Sequence, residues 1–263
     1  MLVGPCARDA ACDAPVDDRV ALAVAGTSSE FQSQAQRMPE LTRRLLLHGE
    51  DGTTVAAVDL LEELQLPDEI LEDAHRGLAS SQAVLRKPAV LSASACKVLR
   101  SAVDAESQAK VDSVDGAPDH QLNLSRQRLE EMIGEAAVAD LWRLAADYVA
   151  AADDTLESEA PAAAPAAAPL AELAPRIFIR RYAPSTRPWN PFHTDTSAVT
   201  INVALNDDAD FAGGRLLCCY DGSVRVVERT EGEATIHAAT LLHGVSLLTS
   251  GVRYRCRHLD RRA

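Results

Sequence analysis

Lysine is almost missing from this sequence: Lys87, Lys97 and Lys110 are the only three in 263 residues. Any cation that binds an anion beyond position 110 must therefore be arginine. Long apolar runs are missing too. No stretch approaches the roughly 18 to 20 continuous apolar residues that span a bilayer, so no membrane span is expected. The start, MLVGPCARDAACDAPVDD, has no basic region leading into a sustained apolar stretch. No secretory signal is read there, and a cytoplasmic location is expected. The cysteines at 6, 12, 96, 218, 219 and 256 contain no CxxC pair and no zinc-type spacing. Free buried thiols are the expectation, with Cys218 and Cys219 on opposite faces if they lie on a strand.

Apolar residues make up 47% and charged residues 25%, an ordinary globular profile of one large domain or two small ones. The net charge of −13 is uneven. Residues 176–263 carry 12 Lys+Arg against 9 Asp+Glu, whereas residues 1–175 carry 14 against 30. An acidic front argues against a nucleic-acid partner, which needs a basic patch. The mildly basic rear suits an anionic small molecule.

Residues 1–88 form an acidic N-terminal region, expected to be partly helical or disordered. Its first 50 residues are rich in Ala, Asp, Ser and Gln with weak periodicity. Residues 53–78 read as a helix up to Pro67 and a second short helix after it. A domain is expected over 89–263, with a helical part at 89–158. Ser92 or Ser94 is a candidate N-cap, and Leu91, Val98, Leu99 and Val103 form a core-facing stripe. A second helix carries Leu129, Met132, Ile133, Leu141, Leu144, Tyr148 and Val149, with Gly134 as a break. The segment EAPAAAPAAAPLAELAP, within 159–175, is a Pro/Ala linker. The β-core spans 176–263, with strands at 176–182, 198–205, 214–219, 223–228, 233–237, 241–247 and 253–259. Helices followed by strands predict an α+β protein whose β half is a sandwich or barrel.

The chemistry concentrates in NPFHTDTSAVTINVALN, residues 190–206. His193 and Asp195 stand two apart before an apolar strand, and on an extended backbone both point to one side. That pair is either half of a metal site or a solvated turn. A mononuclear non-haem iron centre needs two histidines and one carboxylate, with open positions for co-substrate and oxygen. Of seven histidines, His48, His75 and His120 lie in the helical region and His258 at the C-terminus, which leaves His237 and His243. His243 has the better neighbours: Arg253 follows ten residues on, after a glycine turn, and is expected to return on the adjacent antiparallel strand. A buried guanidinium needs an anion, and its planar fork suits a carboxylate. Iron, three ligands and an arginine together point to a dicarboxylate co-substrate. His237 stays an alternative ligand.

The pattern His-x-Asp … His … Arg, with DFAGGRL between, resembles the Fe(II)- and 2-oxoglutarate-dependent dioxygenases of the prolyl and lysyl hydroxylase group. HTDTSAVTINVALN is similar to the catalytic domain of procollagen lysyl hydroxylases, and H…TSGVRY fits the group's ending. The resemblance covers about residues 89–263 and is specific over 176–256. It implies a double-stranded β-helix (jelly roll) with His193, Asp195 and His243 as iron ligands. It also implies Arg253 on the distal carboxylate of 2-oxoglutarate, Tyr182 against the same co-substrate and Asn202 near it. Phe211, Gly213 and Gly214 would form a structural turn. Fe(II), 2-oxoglutarate and O2 are the implied cofactors, with ascorbate expected. The implied reaction hydroxylates an unactivated C–H bond of a prolyl or lysyl residue in a peptide or protein, or of a free amino acid or small metabolite. A non-catalytic jelly-roll binding module is the rival reading. A zinc hydrolase is a weaker one, since no Glu general base stands at the required spacing.

Overall fold

The computed structural model describes residues 16–49, 55–79, 84–106, 108–112, 114–156 and 176–261. Cys6, Cys12 and the Pro/Ala segment lie outside the described residues. The front is helical: α1 (Val16–Ala25), α2 (Ser29–Arg37), α3 (Glu40–Leu46), α4 (Ala57–Leu64) and α5 (Asp68–Ala79). Strand β1 (Leu85–Lys87) leads into α6 (Ala93–Glu106), the pair β2 (Gln108–Val111) and β3 (Pro118–Leu124), α7 (Arg126–Ile133) and α8 (Glu135–Leu156). The rear holds β4 (Arg176–Tyr182), β5 (Asn190–His193), β6 (Ser197–Ala204), β7 (Ala212–Gly213) and β8 (Leu216–Tyr220). It ends with β9 (Ser223–Val227), β10 (Ala234–Ala238), β11 (His243–Val245), β12 (Leu248–Ser250) and β13 (Arg253–Arg261).

Local chemistry sets several boundaries. The Ser92 hydroxyl accepts from the Ala95 N–H at 3.2 Å and Ser125 accepts from Arg128 N–H at 3.1 Å, capping α6 and α7. Gly134, at φ 90°, ends α7. Helix α3 is capped from a distance: Glu63 of α4 accepts from the Leu41 and Thr42 N–H groups at 2.7 Å each.

Two sheets enclose the centre. The larger has the order β1-β10-β6-β13-β4-β3-β2, the smaller β5-β11-β8-β9. Every pairing within them is antiparallel. Side chains alternate between the faces of each strand. Ile177, Ile179, Val199, Ile201, Val203, Ile236 and Cys256 turn outward and pack with Cys96, Leu99, Val103, Leu129, Val138 and Leu141 of α6–α8. On the other side, Leu217, Cys219 and Val224 of the smaller sheet pack with Phe31, Leu45, Leu46, Leu60 and Leu61 of the front helices. The result is a double-stranded β-helix (jelly roll) with helices over both outer faces.

Residues 16–49, in the stretch of weak periodicity, are helical, and Phe31, Leu45 and Leu46 are fully buried. Val98 departs from the expected stripe: it is 43% exposed, while Cys96, Leu99 and Val103 of α6 face the core. Strands β1, β2, β3, β5, β7 and β12 fall where no strand is expected. Cys96, Cys218, Cys219 and Cys256 are free buried thiols, with Cys218 and Cys219 in different clusters on opposite faces of β8.

Candidate metal centre

His193 ends β5 of the smaller sheet, and Ser197 opens β6 of the larger one. Asp195 therefore lies where the chain crosses between sheets, not along one strand. Its N–H donates to the Ala239 carbonyl at 3.0 Å, which fixes the crossing. His243 pairs directly with His193 in the β11–β5 register. Ligand atoms of His193, Asp195 and His243 all lie within 4.8 Å of one another. His193 Nε2 is 3.7 Å from Asp195 Oδ1, and His243 Nε2 is 3.9 Å from Asp195 Oδ2. Two atoms each about 2.1 Å from one ion stand at most about 4.2 Å apart, so both pairs fit a shared metal.

The imidazoles are oriented for ligation. His193 Nδ1–H donates to the Pro191 carbonyl at 2.9 Å, and His243 Nδ1–H donates to the Leu241 carbonyl at 3.0 Å. Each Nε2 then carries the lone pair, and both are buried without a hydrogen-bond partner. Burial lowers the His243 pKa to about 4. Burial, then His243 and Arg257, holds His193 well below its ordinary value. Both rings are neutral at pH 7, as ligation requires. Asp195 is held by the Thr200 hydroxyl, which donates to Oδ2 at 2.6 Å, and by an ion pair with Arg257 Nη2. His237 packs its ring 4.8 Å from that of His243, bonds through Nδ1 to the Ala238 carbonyl, and stands outside the group of three.

Arg253 is not on a strand beside His243. Strand β11 pairs with β5 and β8, while β13 pairs with β4 and β6 in the opposite sheet. The glycine turn that was expected to return Arg253 beside His243 instead leads into the facing sheet. Arg253 pairs with Tyr182 in the β13–β4 register, its guanidinium 4.8 Å from the Tyr182 ring centroid. Both are fully buried; the Tyr182 hydroxyl forms no close hydrogen bond and interacts with the Arg180 and Arg253 guanidiniums beside it. Burial would raise the Tyr182 pKa, but Arg255, Arg180 and Arg253 draw it down to about 8. Asn202 is buried on β6 with Oδ1 3.5 Å from Arg229 Nη1. It shares a face with Thr200. The change of sheet before β6 is why strand parity with the ligands does not govern Asn202. Gly213 and Gly214 have φ of 71° and 62°, and a Cβ at Gly213 would fall 1.9 Å from the Leu247 carbonyl oxygen. Phe211 packs with Tyr182, Val245 and Leu248, so this turn closes the barrel behind Tyr182.

A cavity of about 400 Å³ opens beside His193 and Asp195, lined also by Phe178, Arg180, Phe192 and Arg257 among others. Arg180 Nη2 bridges Asp112 at 2.7 Å and Asp119 at 2.6 Å in its wall. The sequence reading passed over Thr200, Arg180, Arg255 and Arg257. The signal for two of them was present: in RYRCRHL, arginine recurs at every second position, which puts 253, 255 and 257 on one face of a strand.

No protein-family model matches the chain, and no curated protein matches it. Among solved structures it is similar to a Pseudomonas putida prolyl-4-hydroxylase, at 16% identity and a TM-score of 0.46 over 70% of this chain and 94% of that one. It is similar to a viral collagen prolyl hydroxylase from Paramecium Bursaria Chlorella virus-1, at 11% identity and a TM-score of 0.47 over 71% and 93%. An oxidoreductase of the 2OG-Fe(II) oxygenase family from Burkholderia pseudomallei aligns at 14% identity and a TM-score of 0.45 over 74% and 94%. The chain itself carries a His–Asp–His group with metal-ligand spacing. No helix among the described residues is long and apolar enough to cross a membrane.

Proposed function

We propose that this protein is an Fe(II)- and 2-oxoglutarate-dependent dioxygenase that hydroxylates an unactivated C–H bond of a prolyl or lysyl residue in a peptide. One observation carries the reading. Two buried imidazole Nε2 atoms without partners face one carboxylate, each ring locked in the ligating tautomer by a backbone carbonyl. Such orphaned acceptors cost stability in a metal-free protein and are satisfied by a metal.

Fe(II), when bound with 2-oxoglutarate and O2, supplies the oxidising power for the C–H bond. The chain supplies position and dryness. His193, Asp195 and His243 would hold the metal from one side, leaving the other side to co-substrate and oxygen. Thr200 and Arg257 fix the Asp195 carboxylate. Arg253 would receive the distal carboxylate of 2-oxoglutarate, with Tyr182 and Asn202 beside it. The cavity beside His193 and Asp195 is of a size for one substrate side chain with its flanking backbone, or for a small free molecule. Ascorbate is proposed as the reductant that keeps the iron ferrous.

The test is succinate formation. Purified protein is incubated with Fe(II), ascorbate, 2-oxoglutarate and candidate prolyl and lysyl peptides, and products are searched for an added oxygen. Turnover above that of a His193→Ala control is expected. Turnover equal to that control across the peptides and free amino acids would leave the barrel as a binding module.

A further inference from the structure

Three arginines stand on the inward face of β13 and meet different fates. Arg257 reaches Asp195 beside the proposed metal. Arg253 is the one that the resemblance assigns to the co-substrate. Arg255 stands between them, fully buried, and Nε, Nη1 and Nη2 all lack a hydrogen-bond partner. The other buried arginines are matched to acids: Arg180 to Asp112 and Asp119, Arg187 to Asp112 and Asp115, Arg229 to Asp208. Among the described residues, Arg253 and Arg255 are the buried arginines without an ion pair. A buried guanidinium with no counter-ion is costly, and an anion that arrives on binding relieves the cost.

Both unpaired guanidiniums converge on one ring. Arg253 lies 4.8 Å and Arg255 5.3 Å from the Tyr182 centroid, and the Tyr182 hydroxyl has only the arginines beside it, Arg180 and Arg253, to interact with. Residues two apart on a strand are spaced by about 7 Å. One carboxylate has roughly four lone-pair sites, enough to accept from two guanidiniums and a phenol together. We propose that Arg255 is a second clamp for the distal carboxylate of the co-substrate, acting with Arg253 and Tyr182. This rests on the dioxygenase reading and adds to it a residue that makes the site selective for a dianionic oxo acid.

The experiment measures 2-oxoglutarate binding by calorimetry on the full chain loaded with Mn(II), for wild type, Arg255→Met, Arg255→Lys and Arg253→Met. Thermal melting of each metal-free protein runs alongside. Arg255→Met is expected to bind 2-oxoglutarate about 10- to 100-fold more weakly, with Mn(II) affinity unchanged. Its metal-free form is expected to melt higher than wild type, because an unpaired buried charge is gone. Arg255→Lys, which keeps charge with fewer donors, is expected between the two in affinity. Wild-type affinity in both Arg255 variants would overturn the clamp while leaving the dioxygenase reading intact. A lower melting temperature for metal-free Arg255→Met would also overturn it, since that is the mark of a structural arginine. Failure of the wild type to bind 2-oxoglutarate at all would remove the reading and the clamp together.

Discussion

The two faces of β13 contrast within a single strand. Tyr254 and Cys256 turn outward, where Cys256 joins the apolar cluster with α6–α8 and the Tyr254 hydroxyl donates to Asp104 at 2.9 Å. Arg253, Arg255 and Arg257 turn inward, into a space shared with two neutral histidines and a buried aspartate. The outward face is built as stable cores are, from matched aliphatic surface. The inward face holds charges that a fold selected for stability alone would replace with aliphatics. One face holds the sheet together, and the other is kept for what binds between the sheets.

The largest test of that contrast is Asp195→Ala. On the inward face this removes a metal ligand and leaves Arg257 as an uncompensated buried charge, at a cost of about 3–5 kcal/mol. Denaturant melts of the metal-free protein measure it. Metal retention should be lost as well. Adding Arg257→Met to Asp195→Ala should restore most of the stability and none of the metal binding, which separates the two roles of the carboxylate.

The outward counterpart is Ile179→Ala, at a fully buried position of β4. A loss of about 3 kcal/mol is expected from the cavity and the lost transfer energy. Affinities for Mn(II) and 2-oxoglutarate should stay at wild-type values in the folded protein. A change in either would mean that packing on the outer face sets the geometry of the inner one.

A smaller effect is expected from Thr200→Val, which removes the donor to Asp195 Oδ2 and keeps the volume. Partners that orient a ligand are worth about 10–100-fold in metal affinity, so Mn(II) titration should weaken by that factor. Melting of the metal-free protein should shift little, by about 1 kcal/mol or less. Unchanged Mn(II) affinity would show that Arg257 alone orients the carboxylate.

The same contrast explains what could be read in the sequence. Strand β4 was legible to its ends, because RIFIRRY carries the β-branched and aromatic residues that strands favour. His193, Asp195 and His243 were legible as a group only in combination: a His-x-Asp pair alone is common, and the distal histidine and arginine with the glycine turn between them singled it out. Strand β3 was not, since its inward face carries Asp119 and Gln121, and PDHQLNL reads as a polar loop. The arginines at 255 and 257 were hidden because charged residues alternating along RYRCRHL read as a solvated strand face, whereas that face is the buried one. Of the front helices, α4 and α5 fall within the pair expected over 53–78, whereas α1 to α3 lie in the stretch of weak periodicity, and α3 is capped from another helix by Glu63. Their apolar positions, from Phe31 to Leu61, share a core only after the chain has turned several times. Local periodicity does not register an apolar face divided among short helices.

The gentlest probe compares the faces through their titrations. Burial is the largest cause of the shift in both directions: it lowers Arg257 to about 9 and Arg255 to about 10, and it raises Cys256 to about 12. Each group is pushed toward its neutral form, yet the outcomes differ at pH 7. The arginines keep their charge, and the thiol never acquires one. Cys218 is likewise pushed up to about 12 by burial, and Cys96 to about 11. At pH 8 a thiol with a pKa near 12 is ionised about one part in ten thousand, too little for ready alkylation. Iodoacetamide at pH 8, read by peptide mass, should therefore leave 96, 218 and 256 unmodified until the chain unfolds. The sign for stability follows. An unfolded thiol ionises near pH 8.5, so between there and about pH 12 the unfolded chain has released protons that the folded chain still holds. Stability is unaffected by these thiols below pH 8.5 and falls as the pH rises above it. Rapid labelling of Cys256 in the folded protein would mean that the outer face opens, and the contrast between the two faces of β13 would fail at its simplest point.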